Sequence, residues 1–426
     1  MKIMINFLLV LQSFNLYSQL PNQISESEKI YGLSKVWSEV KRNFVYYDRI
    51  TFNWDSLYVA NIEKVKAVKN DYEYYQLLSE MVAKLKDGHT TVWYPDIYYD
   101  KLLGSPPITT KKIENKIIIT GVFNQSLLEK GLKRGMEIIK INGLDAKLYA
   151  KENVAPYVFS SSVQSYNNEV YGSRLFWGLN EEMITVQVRG QFGKTQNYLL
   201  DRKLPKDIMP PSKPTFEFHK TKDNVGVLTI NSFWGEDFNK KFENIFKKVL
   251  ETKALIIDLR DNYGGSSQKA YYVLKHFSKK NYFYGSSWRT RQYRPAFISW
   301  GKEEEWYNQS AERIFKAKGK RYRKKIIVLI SSRTFSAAED FLVAFKQMNR
   351  GIIIGSPTGG STGNPIEFDL PNGGGIKICS KEDTYKNGDK FVGIGILPDI
   401  EVEETIKNFL EKKDVVMKRA IQILIK

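Results

Sequence analysis

The chain is poor in the residues that build disulfides and metal sites. Its 426 residues include one cysteine, Cys379, which excludes an intrachain disulfide. The three histidines, His89, His219 and His276, lie far apart, and no His/Cys spacing is typical of a zinc site. The sequence therefore predicts no bound metal ion.

Long apolar runs are also scarce. After the N-terminus no stretch approaches the about 18 apolar residues of a transmembrane helix, so we expect no stable membrane span. The N-terminus has a basic start, an interrupted apolar run over residues 3–16, and then Tyr17-Ser18-Gln19. This order is typical of a signal peptide, here residues 1–18, although a buried N-terminal strand or helix is the alternative. The sequence predicts export, to the periplasm or outside the cell.

Acidic residues are outnumbered. The chain has 65 Lys and Arg against 47 Asp and Glu, a formal charge of +18, which raises the question of a nucleic-acid partner. The basic residues are spread along the whole chain, however. The densest cluster, residues 316–325, directly precedes an apolar run, so we interpret it as a solvated loop and expect no nucleic-acid partner.

Residues 19–104 read as an N-terminal helical domain. Apolar residues recur at spacings of three and four, as on one face of a helix: Ile30, Leu33, Trp37, Val40 and Phe44. Asp55 can cap a second helix, and Asn70 can open a capping box for a third that stops near Gly88. His89 then stands at a helix-to-strand junction rather than inside a regular face.

Residues 105–204 change to short apolar runs separated by turns. The succession of a short helix, a turn at Gly135, a strand and an Asn142-Gly143 turn resembles PDZ domains. A PDZ-like module would bind an extended peptide at a sheet edge. A plain small β-domain that only packs against its neighbours is the alternative.

A proline-rich linker ends at Pro214, and residues 214–426 then alternate strands and helices. This succession predicts an α/β domain with a largely parallel sheet. Two polar turns, Asn262–Gly265 and the one ending at Ser336, follow apolar strands. Sites in such sheets form at the carboxyl ends of strands, so both turns are candidates.

Ser336 stands where the second polar turn becomes a helix. Its hydroxyl would lie near free N–H groups of the first helical turn, which suits a nucleophile whose attack creates an oxyanion. An ordinary N-cap is the alternative. A bare N–H of Gly264 or Gly265, with that of Ala337, could form a two-donor oxyanion hole, and a tight structural turn is the alternative reading of the glycine pair.

Five segments give these turns a family resemblance. They are similar in order to segments of the tail-specific, or C-terminal-processing, serine proteases: Val225–Phe233, Leu255–Gly265, Thr334–Glu339, Gly355–Thr358 and Gly393–Ile400. The resemblance implies a crotonase-like α/β catalytic domain that hydrolyses peptide bonds without a cofactor. It assigns the nucleophile to Ser336 and the oxyanion donors to Ala337 and the Gly264-Gly265 turn.

One departure from the family pattern concerns the base. Many members use a Ser–Lys dyad, but Ser361 stands where the lysine is expected, and no lysine occurs between Arg350 and Ile376. The other branch resembles the tricorn core protease, which uses a histidine ahead of the PDZ-like domain; the matching residue is His89. Histidine suits this role because its ordinary pKa, about 6.5, lets it take and return a proton near neutral pH.

The group that would orient this histidine is not evident. Gly88 replaces the serine that the tricorn-like branch carries before its histidine, and Val392 falls about where its glutamate is expected. Candidates by proximity in sequence are Glu367, Asp369 and Asp389. Glu339 belongs to the Ser-Ala-x-Glu pattern of the family and is expected to brace the nucleophile helix.

The sequence thus predicts an exported serine endopeptidase acting on polypeptides through Ser336 and His89. Because these residues come from opposite ends of the chain, activity should depend on domain docking. A catalytically inactive relative that binds peptides or hydrophobic ligands is the alternative, and a fluorophosphonate probe would discriminate between them. An esterase using the same two residues is separable only by substrate trials.

Overall fold

A computed structural model of the chain describes residues 21–190, 192–203, 213–302, 305–309, 314–317 and 319–425. The expected signal peptide and residues 204–212 of the proline-rich linker lie outside this description. Across the described ranges, no helix combines the length and apolarity needed to cross a membrane.

The described residues form two compact units. Unit 1 contains the residues up to 159, those from 169 to 203 and those from 365 to 380. Unit 2 contains residues 160–168, 213–364 and 381–425. Each unit is therefore assembled from segments that are distant in sequence.

The α-helices of the described residues are concentrated near the N-terminus and in the second half of the chain. In chain order they are α1 (Glu26–Asn43), α2 (Trp54–Ala67), α3 (Asp71–Ala83), α4 (Gln125–Glu129), α5 (Ala146–Tyr149), α6 (Val163–Asn168), α7 (Phe238–Val249), α8 (Ser267–Leu274), α9 (Pro295–Ser299), α10 (Ala337–Gln347), α11 (Ile406–Leu410) and α12 (Val415–Ile425).

The strands of the described residues are short. In chain order they are β1 (Thr91–Trp93), β2 (Leu103–Gly104), β3 (Ile108–Ile113), β4 (Lys116–Val122), β5 (Glu137–Ile141), β6 (Leu144–Asp145), β7 (Gly178–Leu179), β8 (Met183–Arg189), β9 (Thr195–Asp201), β10 (Phe216–Lys220), β11 (Val225–Ile230), β12 (Ala254–Asp258), β13 (Tyr282–Tyr284), β14 (Ser287–Gln292), β15 (Glu305–Gln309), β16 (Ile314–Lys316), β17 (Ile326–Ile330), β18 (Ile352–Gly355), β19 (Ile366–Asp369), β20 (Gly375–Ile378), β21 (Glu382–Thr384) and β22 (Ile400–Glu401).

The N-terminal helices of unit 1 confirm the predicted helical region but correct two of its boundaries. Asn53, not Asp55, caps α2: its side chain accepts the N–H of Ser56 at 2.8 Å. The carboxylate of Asp55 instead accepts the indole N–H of Trp37 at 2.7 Å. Beyond α3 the left-handed residue is Lys86, with φ 53°, rather than the expected Gly88.

The β-rich part of unit 1 is an antiparallel sheet in the order β3-β4-β5-β8-β9, with β6 paired to β5. A second antiparallel sheet, β1-β20-β19, joins the strand after His89 to residues from the far end of the chain. The short runs predicted between residues 105 and 204 therefore form strands. Their likeness to a PDZ domain remains a prediction.

Unit 2 is built on the sheet β10-β11-β12-β17-β18-β22, in which all pairs except β10-β11 are parallel. Side chains alternate between the two faces of this sheet. One face packs against α7, α8 and α10, and the other packs against α12. Both faces are covered, which explains why residues 254–257 of β12 and all of β17 are uninterrupted apolar runs and confirms the α/β class.

The described residues 319–325 of the basic segment before β17 have no regular secondary structure, and Lys320, Arg323 and Lys325 are exposed, in line with the predicted solvated loop. Arg321 donates to the backbone carbonyl of Lys280 at 2.6 Å, and Lys324 donates to that of Thr252 at 2.5 Å. These cations therefore hold the segment against its own unit. His276 is buried, and its ring packs against those of Phe242 and Phe246.

Candidate active site

Ser336 ends the turn between β17 and α10, as the sequence predicted, but in an unusual backbone conformation. Its φ and ψ are 57° and −123°, whereas an N-cap residue ordinarily has negative φ. A non-glycine residue in such a sparsely populated region costs about 1–3 kcal/mol. A serine held on a strained strand-to-helix turn is the arrangement that nucleophile elbows use to present their hydroxyl.

The turn after β12 lies directly against Ser336. A β-carbon added at Gly264, whose φ is 100°, would lie 2.7 Å from Cβ of Ser336 and 3.0 Å from N of Ala337. The N–H of Phe335 also donates to the carbonyl of Asn262 at 3.0 Å. The two polar turns that the sequence singled out are therefore neighbours, and only glycine fits at residue 264.

The N–H groups of this corner are not equivalent. Asn262 is fully buried, and its side-chain oxygen accepts the N–H of Gly264 at 2.8 Å. Phe233 bridges to this turn through two hydrogen bonds: its N–H donates to the carbonyl of Gly264, and its carbonyl accepts the N–H of Ser266. The N–H of Gly265 takes no part in this bridge. Ala337 is the first residue of α10, where N–H groups lack an intrahelical acceptor. Gly265 and Ala337 are thus better placed than Gly264 to donate to a ligand.

Glu339 holds the nucleophile turn through hydrogen bonds. Its fully buried carboxylate accepts the N–H of Ser336 at 3.2 Å, that of Gly360 at 2.8 Å and that of Ser361 at 2.9 Å, as well as the hydroxyl of Thr358. Burial raises the pKa of Glu339 to about 8, while the four hydrogen bonds act in the opposite direction. One carboxylate therefore joins the nucleophile turn to residues 358–361.

The residue at the expected lysine position lies beside the nucleophile. The carbonyl of Ser361 accepts the N–H of Ser336 at 3.1 Å, and Ser361 is completely buried. A lysine side chain starting there would begin next to Ser336, as the Ser–Lys branch requires. A serine at this point leaves the position without a base of suitable pKa.

Unit 2 also contains a cleft of about 1130 Å³, whose lining includes Lys346 and Gln347 at the end of α10 opposite to Ser336. Its wall includes Ile394 and Leu397, each more than half exposed. This wall is tied to the nucleophile region because Thr358 accepts the N–H of Ile396 at 2.6 Å. No residue of the turn that ends at Ser336 lines the cleft, so its apolar side chains lie apart from the candidate nucleophile.

His89 belongs to unit 1 and lies, half-buried, in the turn between α3 and β1. The turn is held by the hydroxyl of Thr90, which donates to Asp87 at 2.7 Å and accepts the N–H of Cys379 at 3.0 Å. Asp87 is 2% exposed, two residues before His89. Asp87 was not among the acids proposed from the sequence, although its position two residues before His89 was a signal that could have identified it.

The three acids proposed from sequence are all exposed. Glu367 pairs with Lys377 at 2.8 Å across the β19-β20 ladder, and Asp369 closes β19 in the same unit. Asp389 lies in unit 2, where it accepts the side-chain amide of Asn387 at 2.7 Å. Their part in orienting His89 remains a prediction.

Two segments of the chain match known protein families. Residues 224–402 match peptidase family S41, and residues 26–83 match the tricorn protease C1 domain. The carboxy-terminal processing protease CtpB of Bacillus subtilis is 25% identical over 297 residues, which cover 68% of this chain and 53% of CtpB. A probable CtpA-like serine protease of Staphylococcus epidermidis is 26% identical over 229 residues, 52% of this chain and 43% of the relative. The chain thus spans about half the length of these relatives.

Solved structures agree on the fold. The crystal structure of mature CPAF matches 94% of this chain and 98% of its own with a TM-score of 0.75 at 16% identity. The photosystem II D1 C-terminal processing protease matches 88% of this chain and 93% of its own with a TM-score of 0.51, also at 16% identity. The solved structures support the fold, and the two domain matches confirm the resemblance read from the sequence: residues 224–402 form a domain of peptidase family S41.

Proposed function

We propose that the protein is an exported serine peptidase that hydrolyses peptide bonds in polypeptides. The observation that carries the proposal is Ser336 itself: a serine in a strained conformation at the start of a helix, against a glycine turn, in a domain of peptidase family S41. Ser336 also forms a capping box with Glu339, but that role does not require a positive φ, so the strained backbone supports a reactive hydroxyl.

In the proposed reaction, the hydroxyl of Ser336 attacks the scissile carbonyl and forms an acyl-enzyme. The N–H groups of Gly265 and Ala337 receive the negative charge that develops on the carbonyl oxygen. Removing one such donor typically costs about 10²–10³ in rate. Water then hydrolyses the acyl-enzyme and regenerates the serine.

His89 is our candidate for the general base. It would take the proton of Ser336 during attack and return it to the leaving amine. The support is the buried Ser361 at the position of the family lysine, together with the tricorn-type domain match that ends six residues before His89. No metal ion or organic cofactor enters this reaction scheme.

Asp87 is our candidate for the group that positions His89. It is buried, lies in the same turn and carries the charge that stabilises an imidazolium. The three exposed acids are weaker candidates because solvent screens an exposed carboxylate from the imidazole.

The proposal is tested with a quenched fluorogenic peptide library and a fluorescein-labelled unfolded protein. We expect the full chain to cleave both substrates. Ser336→Ala and His89→Ala should each lower kcat/KM by a factor of about 10²–10⁴. The matched controls are Ser299→Ala and His219→Ala, which change an exposed serine of α9 and an exposed histidine of β10. Cleavage that survives Ser336→Ala would contradict the proposal, and cleavage of esters but not of peptides would favour an esterase.

A further inference from the structure

Unit 1 contains a second cavity, lined entirely by its own residues. It measures about 790 Å³ and lies between α3, the segment after β1 and residues 149–182. This volume is typical of sites that bind small ligands or a few residues of a peptide. None of the residues proposed for catalysis lines it.

One wall of this cavity is a continuous aromatic surface. The ring of Trp177 lies 6.3 Å from that of Tyr99, which lies 6.3 Å from that of Tyr94, which in turn lies 5.8 Å from that of Tyr72. Trp177 and Tyr99 are about two-fifths exposed, whereas Tyr94 is buried. The aromatic wall therefore extends from the solvent into the interior of unit 1.

The charge of the lining is negative, although the chain as a whole carries +18. Five glutamates oppose one lysine and two arginines: Glu73, Glu80, Glu152, Glu169, Glu182, Lys64, Arg174 and Arg202. Both arginines are engaged by carboxylates of the cavity itself, since Arg202 pairs with Glu182, and Arg174 lies 3.4 Å from Glu169. The cavity therefore has an excess of acidic groups for a ligand to meet.

The remaining glutamates are weakly neutralised. Glu80 pairs with Lys84 at 3.3 Å, but both side chains are about two-fifths exposed, so water screens this attraction. Glu73 accepts the backbone N–H of Lys69 at 2.8 Å, which supplies no charge. Glu152 is exposed and, within the described part of the chain, has no ion-pair partner.

We propose that this cavity binds a basic segment of a polypeptide, with a lysine or arginine side chain against the aromatic wall and among the glutamates. A cation over an aromatic face is attracted by the negative centre of the ring, and more so where water is displaced. The arginines do not attract an anion because their charge is already matched by carboxylates. The exposed rings of Trp177 and Tyr99 at the mouth provide contact area for residues flanking the cation, which a small polyamine would leave uncovered.

The site is tested by direct binding, so its test does not depend on peptidase activity. The full chain carrying Ser336→Ala is titrated calorimetrically with acetyl-Ala-Arg-Ala-amide, with acetyl-Ala-Glu-Ala-amide, with spermidine and with chitotriose. We expect saturable binding of the arginine peptide, at least about tenfold tighter than the other three and weakened by salt.

Variants locate the site. Glu152→Lys should weaken binding of the arginine peptide at least about tenfold. Glu129→Lys, which changes an exposed glutamate of α4 outside the cavity, should leave the affinity unchanged. The peptide should alter tryptophan fluorescence in the parent but not in Trp177→Phe. Equal binding of the arginine and glutamate peptides, tighter binding of spermidine or chitotriose, or unchanged affinity in Glu152→Lys would overturn the proposal.

Discussion

Replacing Glu339 by glutamine tests whether the buried carboxylate holds the nucleophile turn. One of its oxygens accepts the N–H groups of Ser336 and Ser361, and the other accepts the N–H of Gly360 and the hydroxyl of Thr358. A glutamine has one acceptor oxygen. If that oxygen still accepts the N–H groups of Ser336 and Ser361, the glutamine NH₂ group can donate to the Thr358 hydroxyl. The same NH₂ group then faces the N–H of Gly360, from which it cannot accept a hydrogen bond.

At least one buried N–H therefore loses its acceptor in Glu339→Gln. A buried donor left unsatisfied costs about 1–3 kcal/mol, so we expect this loss of unfolding free energy. If the strained conformation of Ser336 relaxes and the activation free energy rises by the same amount, about 1–3 kcal/mol, kcat falls by about five- to 150-fold, with KM little changed. The assays are urea denaturation and hydrolysis of a fluorogenic peptide.

The dependence on pH provides a second readout. Burial raises the pKa of Glu339 to about 8, so between its unfolded pKa of 4.5 and about 8 the folded chain holds a proton that the unfolded chain has released. This stabilisation is complete below about pH 4.5 and decreases as pH rises toward 8. Wild type should therefore lose stability relative to Glu339→Gln as pH rises through this range.

Asp340→Asn is the matched control. Asp340 is the next residue of α10 and is also buried, but its carboxylate accepts the hydroxyls of Ser267 and Ser286 rather than the turn of Ser336. It should lose stability without a comparable loss of kcat. If Glu339→Gln kept wild-type kcat and the same pH dependence of stability, the bracing role would be refuted.

Three further changes address the rest of the site. Gly264→Ala, at φ 100° and with its new carbon 2.7 Å from Cβ of Ser336, should lower kcat and stability together, as thermal unfolding and hydrolysis will report. His89→Ala should lower kcat by about 10²–10⁴ while His219→Ala does not, and equal activities would exclude His89 as the base. Asp87→Asn should lower kcat and move the acid limb of the pH–rate profile to lower pH, because a negative charge near the imidazole is removed; an unmoved limb would assign Asp87 a structural role only.

The alternation of strands and helices in unit 2 was predictable because it rests on local patterns. Runs such as residues 326–330 are apolar throughout, since both faces of the sheet are covered. The two polar turns could also be expected to meet, because the strands before them are parallel neighbours, β12 and β17. Parallel neighbours place their carboxyl ends at one edge of a sheet.

Features set by tertiary contacts could not be predicted in the same way. Nothing in the sequence around Ser336 requires a positive φ, and the N–H of Ser336 in this conformation donates to Ser361 and Glu339, which lie elsewhere in the sequence or on the next helical turn. The Gly264-Gly265 pair looked equivalent, and only the bond from Asn262 distinguishes its two N–H groups. The cap of α2 was misassigned because Asn53 and Asp55 are both good capping residues, and the contact of Asp55 with Trp37 decides between them.

Covalent labelling of Ser336 tests the central claim most directly. The full chain is treated with a fluorophosphonate, and the modified peptide is identified by mass spectrometry. We predict a single phosphonylated residue, Ser336, whose labelling disappears in Ser336→Ala and slows in His89→Ala. Folded protein that is not labelled under any condition, or label on another serine, would contradict the account and favour a binding protein on a peptidase fold.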